Sequence, residues 1–342
     1  MKEYVLFTVI KSSNRNAGPK APLDIGRILE RTGKVESVLL ESEEHKDYPL
    51  FLRLIREVKR IQEEDRKVIL QYPLQPFSFF EQQELFSKAY SYFDPNKTIL
   101  WIHDINQIRF SQRPECRAEV EWLKPFHYFI VHNAVMEKYL REYIPTGRYI
   151  CNEIFDYLCG DDIIWQTSAN EEIQIVFAGN LIHEKSPFLY ELEPEKMRFR
   201  LNVYGKREEL IKNEKICYRG NFNADILPGR LHGDLGLIWD GFLDSTDVSA
   251  YKNYTRYNAP HKFSCYMAAG LPVIAWQEAA IAEVIRKYKV GYLIDNLYEI
   301  NDLDLSLYTE YQRNAQDLGQ KVRSGYFTKR VFEQIEECWD AL

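Results

Sequence analysis

Short apolar runs alternate with longer stretches of helical periodicity along almost the whole chain. In the first half, Tyr4–Ile10, Ser37–Leu40, Lys67–Tyr72, Thr98–His103 and Tyr128–His132 read as strands. Between them the apolar positions repeat with helical spacing over Pro22–Thr32, Leu50–Gln62, Phe79–Tyr92, Glu115–Leu123 and Ala134–Tyr143. A second series follows with Ile173–Phe177, Arg200–Tyr204, Lys215–Tyr218, Leu235–Trp239, Val273–Trp276 and Tyr292–Ile294. Apolar strands joined through helices predict parallel sheets covered on both faces. Periodicity lapses over Cys159–Glu172, where Gly160-Asp161-Asp162 and Thr167-Ser168-Ala169-Asn170 make the best linker. The expectation is α/β: two Rossmann-like, doubly wound domains, residues 1–158 and 159–327, with a closing helix near 328–342 that packs back on the first.

Composition supports that division and narrows the partners. A chain of 342 residues is long enough for two domains, and 45% hydrophobic against 28% charged content describes a globular protein. The net charge of −7 offers no general attraction to nucleic acid, so any phosphate must be met locally by placed Lys, Arg and helix ends. The six cysteines (116, 151, 159, 217, 265 and 338) are scattered, without CxxC or Cys/His metal spacing, which favours reduced thiols in the cytoplasm. The apolar start is too short to span a membrane and reads as a first strand.

Parallel sheets bind ligands at the carboxyl ends of their strands, so the residues just after each strand are the candidates. Asn16, Gly18 and Lys20 follow the first strand in a loop without the GxGxxG spacing of a dinucleotide site, which argues against a nicotinamide or flavin enzyme. His103 and Asp104 follow the fourth strand and offer a general base for a hydroxyl group, with Asp104 preferred because a loop carboxylate reaches an acceptor more easily. The plain alternative makes Asp104 a turn cap. His132 with Asn133, Asp24 and Glu115 stand behind them, Asn133 reading as a helix cap. In the second half Gly179, Asn180 and Lys185 follow one strand, Tyr204, Gly205 and Lys206 the next, and Tyr218 the third. Tyr beside Gly gives a flat ring and open backbone groups, which suit a uracil base. Asp240-Gly241 closes a fourth strand and reads as a tight turn or a contact to a sugar hydroxyl.

The most informative stretch is Asn258–Ile294, which runs loop, helix, Ala269-Gly270, strand, helix, strand. Asn258, His261 and Lys262 stand where the loop becomes a helix. Unpaired N–H groups, the positive end of the helix dipole and a lysine together suit a diphosphate. An ordinary αβα unit with a solvated lysine is the alternative.

This stretch resembles the donor-binding half of GT-B glycosyltransferases, through Tyr266–Gly270, Leu271–Ile274, Glu283–Ile285 and Gly291–Ile294. Asn258-Ala259-Pro260-His261-Lys262, Asn16–Ala21 and Phe177–Asn180 are similar to a bacterial subfamily within that group. It includes the β-1,6-galactofuranosyltransferases of surface-polysaccharide clusters and the streptococcal glucosyltransferase of serine-rich adhesins. The resemblance implies two domains facing a central cleft and a UDP-sugar donor. The acceptor it implies is a lipid-linked glycan or a glycoprotein. The two glutamates of the large retaining group are missing, with Tyr257 and Cys265 at their positions, so the resemblance implies an inverting enzyme. No acidic pair stands at a metal-binding loop, Asp161-Asp162 lying in the linker, so no metal or other cofactor is expected.

The resulting expectation is a bacterial hexosyltransferase that works in the cytoplasm or at the inner face of the membrane. It leaves room for peripheral membrane contact and for a homo-oligomer. Two other classes remain open at this point: a non-catalytic UDP-sugar-binding subunit of another transferase, and a GT-B-fold sugar-nucleotide epimerase. The epimerase needs more acids around the sugar than the strand ends supply.

Overall fold

The computed structural model describes residues 2–11, 18–42, 48–74, 88–160, 172–207, 210–243 and 250–339. The chain divides into two compact units, Met1–Glu153 with Phe327–Leu342, and Ile154–Tyr326. Each is built on one six-stranded, wholly parallel sheet.

In the first unit the strands are β1 Tyr4–Lys11, β2 Val35–Ser42, β3 Lys67–Tyr72, β4 Thr98–Ile102, β5 Tyr128–Val131 and β6 Arg148–Cys151, in the order β2-β1-β3-β4-β5-β6. The chain steps outward from β1 to β2, then returns to the other side with β3, so the topological switch lies between β1 and β3. Strand β4 is buried along its whole length, because a central parallel strand is covered on both faces. The closing helix Tyr326–Trp339 is tied to this unit through an edge-on contact of Phe332 with Tyr4, ring centroids 5.2 Å apart.

In the second unit the strands are β7 Ile173–Ala178, β8 Phe199–Tyr204, β9 Ile216–Gly220, β10 Leu235–Ile238, β11 Val273–Trp276 and β12 Gly291–Ile294. Their order, β12-β11-β10-β7-β8-β9, is the doubly wound Rossmann order, and its switch point lies between β7 and β10. Direct pairing of these two strands is confined to Leu235–Ile175 and Gly236–Val176. Beyond it the hydroxyl of Tyr266 bridges them, accepting from the Ala178 N–H at 2.8 Å and donating to the Leu237 carbonyl at 3.0 Å. The Tyr266 ring lies against Gly236, where a Cβ would come within 2.4 Å of it, so only glycine lets the helix carrying Tyr266 approach. That helix, His261–Ala268 of the donor motif, is thereby fixed over the switch point.

Several expected boundaries move. The first sheet has a sixth strand, β6, which sequence periodicity does not reveal because a four-residue edge strand led by an exposed arginine carries no alternation. The expected helix Glu115–Leu123 resolves into a 3-10 turn, Pro114–Cys116, and a short helix, Glu119–Leu123. Most of the expected helix Phe79–Tyr92, and the linker positions Asp161 and Asp162, lie outside the described residues. A 17-residue helix, Tyr308–Ser324, was not expected; its pattern is largely polar, with only a narrow buried stripe. Arg323 on this helix donates to the Ala268 carbonyl at 2.7 Å, closing the carboxyl end of the donor-motif helix.

Candidate functional site

Two of the expected donor-site residues, Lys262 and Gly179, meet Asp240 at the switch point of the second sheet. The Lys262 ammonium lies 2.8 Å from an Asp240 carboxylate oxygen and donates to the Trp239 carbonyl at 3.0 Å. Its side chain also covers Gly179, where an added Cβ would stand 2.9 Å from the lysine Cε, and its ammonium sits 4.5 Å from the centre of the Phe177 ring. Lys262 is therefore not the solitary cation the sequence suggests. It is one half of an ion pair whose partners are 16% and 19% exposed. Pairing and the aromatic face hold the ammonium at the helix start, at the carboxyl ends of β7 and β10.

The neighbouring strand ends lock together through the backbone. Gly179 N–H donates to the Tyr204 carbonyl at 2.9 Å, and Leu181 N–H to the Lys206 carbonyl at 3.1 Å. At Gly205, which has φ +142°, a Cβ would lie 1.8 Å from the Gly179 carbonyl oxygen, so the two loops approach only because this position is glycine. Asn180 serves its own turn: its Oδ1 accepts from Ile182 N–H at 3.3 Å and its carbonyl from the Ser186 hydroxyl at 2.8 Å. Lys185 accepts through its carbonyl from Gly241 N–H, linking the same two strand ends as Lys262 and Asp240.

Tyr204 needs a correction as a stacking platform. Its ring is buried in the core and its hydroxyl accepts from the His232 N–H at 2.9 Å, so it cannot lie flat on a base. Tyr218 is at the surface of the neighbouring edge strand β9, donates to the Gly205 carbonyl at 3.2 Å and carries the Arg207 guanidinium 4.0 Å from its ring centre. Lys206 is exposed beside them. At the start of the donor-motif helix, His261 stacks on Tyr157 with ring centres 4.8 Å apart. Asn258, just ahead, has a buried Oδ1 with no hydrogen-bond partner among the described residues.

In the first unit the candidates gather at the ends of β3 and β4. His103 leaves β4 with its N–H bonded to the Tyr72 carbonyl at 2.7 Å, and its Nε2 lies 2.8 Å from Gln71 Oε1. Asp104 pairs with Arg109 at 2.7 Å. The loop carrying both is held by Glu119, which is fully buried and accepts from Tyr72 Oη and from the Gln107 N–H, each at 2.6 Å. Burial pushes the Glu119 carboxyl up to about 7, although the hydrogen bonds from Tyr72 and the backbone oppose the rise. His132, the reserve candidate, is buried at the end of β5, and burial lowers it to about 4, so it stays neutral in the fold. Lys20 is not a loop cation. It lies in the first turn of the helix Lys20–Glu30, buried, and pairs with the equally buried Asp24 at 2.7 Å. Gly18 is exposed in the turn before that helix, and Asn16 lies outside the described residues. Asn133 caps the helix Ala134–Arg141, its side chain accepting from Val135 and Met136 N–H groups.

The N-terminal domain of the family described as glucosyltransferase 3-like matches residues 3–154, and its C-terminal domain matches residues 175–335. The chain belongs to the glucosyltransferase 3-like family. It is a glycosyltransferase. A relative, the beta-1,6-galactofuranosyltransferase WbbI of Escherichia coli K12, is 31% identical over 243 residues, 68% of this chain and 69% of that protein. Among solved structures, sucrose-phosphate synthase from Thermosynechococcus elongatus aligns over 100% of both chains at 10% identity with a TM-score of 0.65. Anabaena HepE, solved in complex with UDP-glucose, aligns over 98% of this chain and 99% of its own at 12% identity with a TM-score of 0.59. The fold is GT-B.

For a glucosyltransferase 3-like chain, the residues that sequence reading passed over are those whose role depends on neighbours. Gln71 lies inside a strand and Glu119 opens a short helix, and neither carries a motif. Tyr266 stands in a helix where an aromatic reads as ordinary core. Among the described residues no helix is long and apolar enough to cross a membrane, and no group of three His, Cys, Asp or Glu side chains is placed to hold a metal ion.

Proposed function

We propose that this glycosyltransferase moves a hexose, galactofuranose or glucose, from a UDP-sugar to a hydroxyl group of a glycan or glycoprotein, with inversion at the anomeric carbon. The observation that carries the donor reading is the Lys262–Asp240 pair over Gly179, at the start of a helix fixed on a Rossmann switch point. In this reading the diphosphate takes the place beside Lys262 and the helix N–H groups, and the uracil lies toward Tyr218 and the Gly205 turn. Charge on the departing UDP is then met by fixed protein groups, so no divalent ion is required. HepE with UDP-glucose supports the choice of nucleotide by analogy of fold, and WbbI supports galactofuranose by kinship.

His103 and Asp104 supply the acceptor side. Of the two, the hydrogen bonding favours His103 as the base. Asp104 is paired with Arg109, whereas His103 meets a neutral acceptor, Gln71 Oε1, at Nε2, and in that tautomer Nδ1 is the basic nitrogen. The base removes the hydroxyl proton as the acceptor oxygen bonds to the anomeric carbon and the bond from that carbon to UDP breaks. In this reading the enzyme works in the cytoplasm or at the inner face of the membrane, on an acceptor presented by a lipid or a protein.

The test is incubation with a panel of UDP-sugars and lipid-linked or GlcNAc-bearing acceptors, read by product mass spectrometry. Transfer from one UDP-hexose with inverted anomeric configuration is the expected result. Tight UDP binding without transfer to any acceptor would instead make the chain a binding subunit.

A further inference from the structure

Gln71 is a polar side chain that joins the switch point of the first sheet to the residue following β4. The residue is 2% exposed, and its amide uses both of its ends. Nε2 donates to Thr8 Oγ1 on β1 at 2.6 Å and to the Pro22 carbonyl at 2.9 Å, while Oε1 faces His103 Nε2 at 2.8 Å. The orientation of the amide follows from chemistry. The Pro22 carbonyl accepts only, so the amide NH₂ must face it, and the amide oxygen must face His103. An amide oxygen accepts only, so His103 Nε2 must carry a hydrogen.

We infer that Gln71 is a positioning residue for the transferase reaction, holding His103 as the Nε2–H tautomer with Nδ1 as the basic nitrogen. This inference rests on the reading of His103 as the general base. A ring hydrogen-bonded at Nε2 cannot turn about its χ2 axis without losing that bond, so Gln71 favours a proton on Nε2 and a lone pair on Nδ1. The bond also strengthens as the ring becomes positively charged, because an imidazolium N–H is a better donor than a neutral one. Gln71 therefore stabilises the state formed when the acceptor proton arrives. The anchors are rigid: Thr8 and Gln71 lie side by side on adjacent parallel strands, one residue beyond the Phe7–Leu70 pair. Asp104, next along the same loop, pairs with Arg109 at 2.7 Å.

The experiment has two parts. Imidazole nitrogen shifts of the wild-type protein by NMR, assigned with His103→Ala, should show Nε2 protonated and Nδ1 bare in neutral His103. Turnover is then measured in a double-mutant cycle of Gln71→Met and His103→Ala. Gln71→Met should lower kcat by about tenfold with KM for the UDP-sugar nearly unchanged, and should cause no further loss in the His103→Ala background. A wild-type ring protonated on Nδ1 overturns the inference without any variant, so a folding defect in Gln71→Met cannot hide the answer. A collapse of turnover in His103→Ala with undiminished turnover in Gln71→Met, or an equal loss from Gln71→Met in both backgrounds, overturns it while leaving the base reading intact. Undiminished turnover in His103→Ala removes the base reading, and the positioning role with it.

Discussion

Replacing Lys262 by alanine is the sharpest probe of the donor site, because the structure says what the replacement leaves behind. The ammonium bridges Asp240 at 2.8 Å and the Trp239 carbonyl at 3.0 Å, and only 16% of the side chain is exposed. A charge-assisted hydrogen bond from this ammonium to the diphosphate contributes about 1.5–3 kcal/mol, a factor of roughly 10–150 in UDP affinity. The alanine variant also uncovers the Asp240 carboxylate. At roughly 6 Å from a phosphate charge and an effective dielectric of about 20, that repulsion is about 3 kcal/mol before screening. The loss on Lys262→Ala therefore belongs at the upper end of the range. Lys262→Ala/Asp240→Asn should recover part of it, since the uncompensated charge is gone. UDP affinity is measured by titration calorimetry on proteins whose folding is checked by circular dichroism. Unchanged affinity in a folded Lys262→Ala, or a double variant no better than the single one, would refute the placement of the diphosphate.

Activity should survive excess EDTA; abolition with rescue by Mn²⁺ or Mg²⁺ would return Asp240 and Asp104 to consideration as ligands. Alanine at the true base should cut kcat by about 10²–10⁴-fold with UDP affinity nearly unmoved, and the larger loss is expected for His103 over Asp104. Loss confined to Asp104→Ala would reverse that choice. Glu119 keeps a proton in the fold that the unfolded chain releases between its ordinary 4.5 and about 7, so its contribution to stability falls as pH rises through that window. The whole fall is about 3 kcal/mol at most, and denaturant titrations from pH 4.5 to 8 should show it in the wild type but not in Glu119→Gln; parallel profiles would contradict the burial argument. Tyr266→Phe should cost about 1–3 kcal/mol by leaving the Ala178 N–H without its partner, and an unchanged denaturation midpoint would show that the bridge between β7 and β10 is dispensable.

Much of this protein is legible in its sequence. Continuous apolar runs at β3, β4, β7 and β10 can be satisfied only by strands covered on both faces, so the runs alone imply parallel sheets with helices between them. The same local logic locates the donor-motif helix, because Asn258–Lys262 and Ala269-Gly270 mark its ends within a few residues of His261–Ala268. Weak local signals fail where packing supplies the stability, as in β6 and in the polar helix Tyr308–Ser324.

Partnership is what sequence leaves open. Lys262 reads as a free cation until the switch point brings Asp240 against it, and Lys20 reads as a loop lysine until the first helical turn places Asp24 one turn away in the core. Tyr204 and Tyr218 look equivalent beside glycines, yet one strand is flanked on both sides and the other lies at an edge, so one ring is core and the other is surface. The amide of Gln71 acquires its role from β1, the Pro22 carbonyl and His103, groups up to 63 residues distant along the chain. Periodicity is a local property and determined the elements. Charge pairing, burial and tautomer depend on which strands become neighbours, and only the tertiary structure decided those.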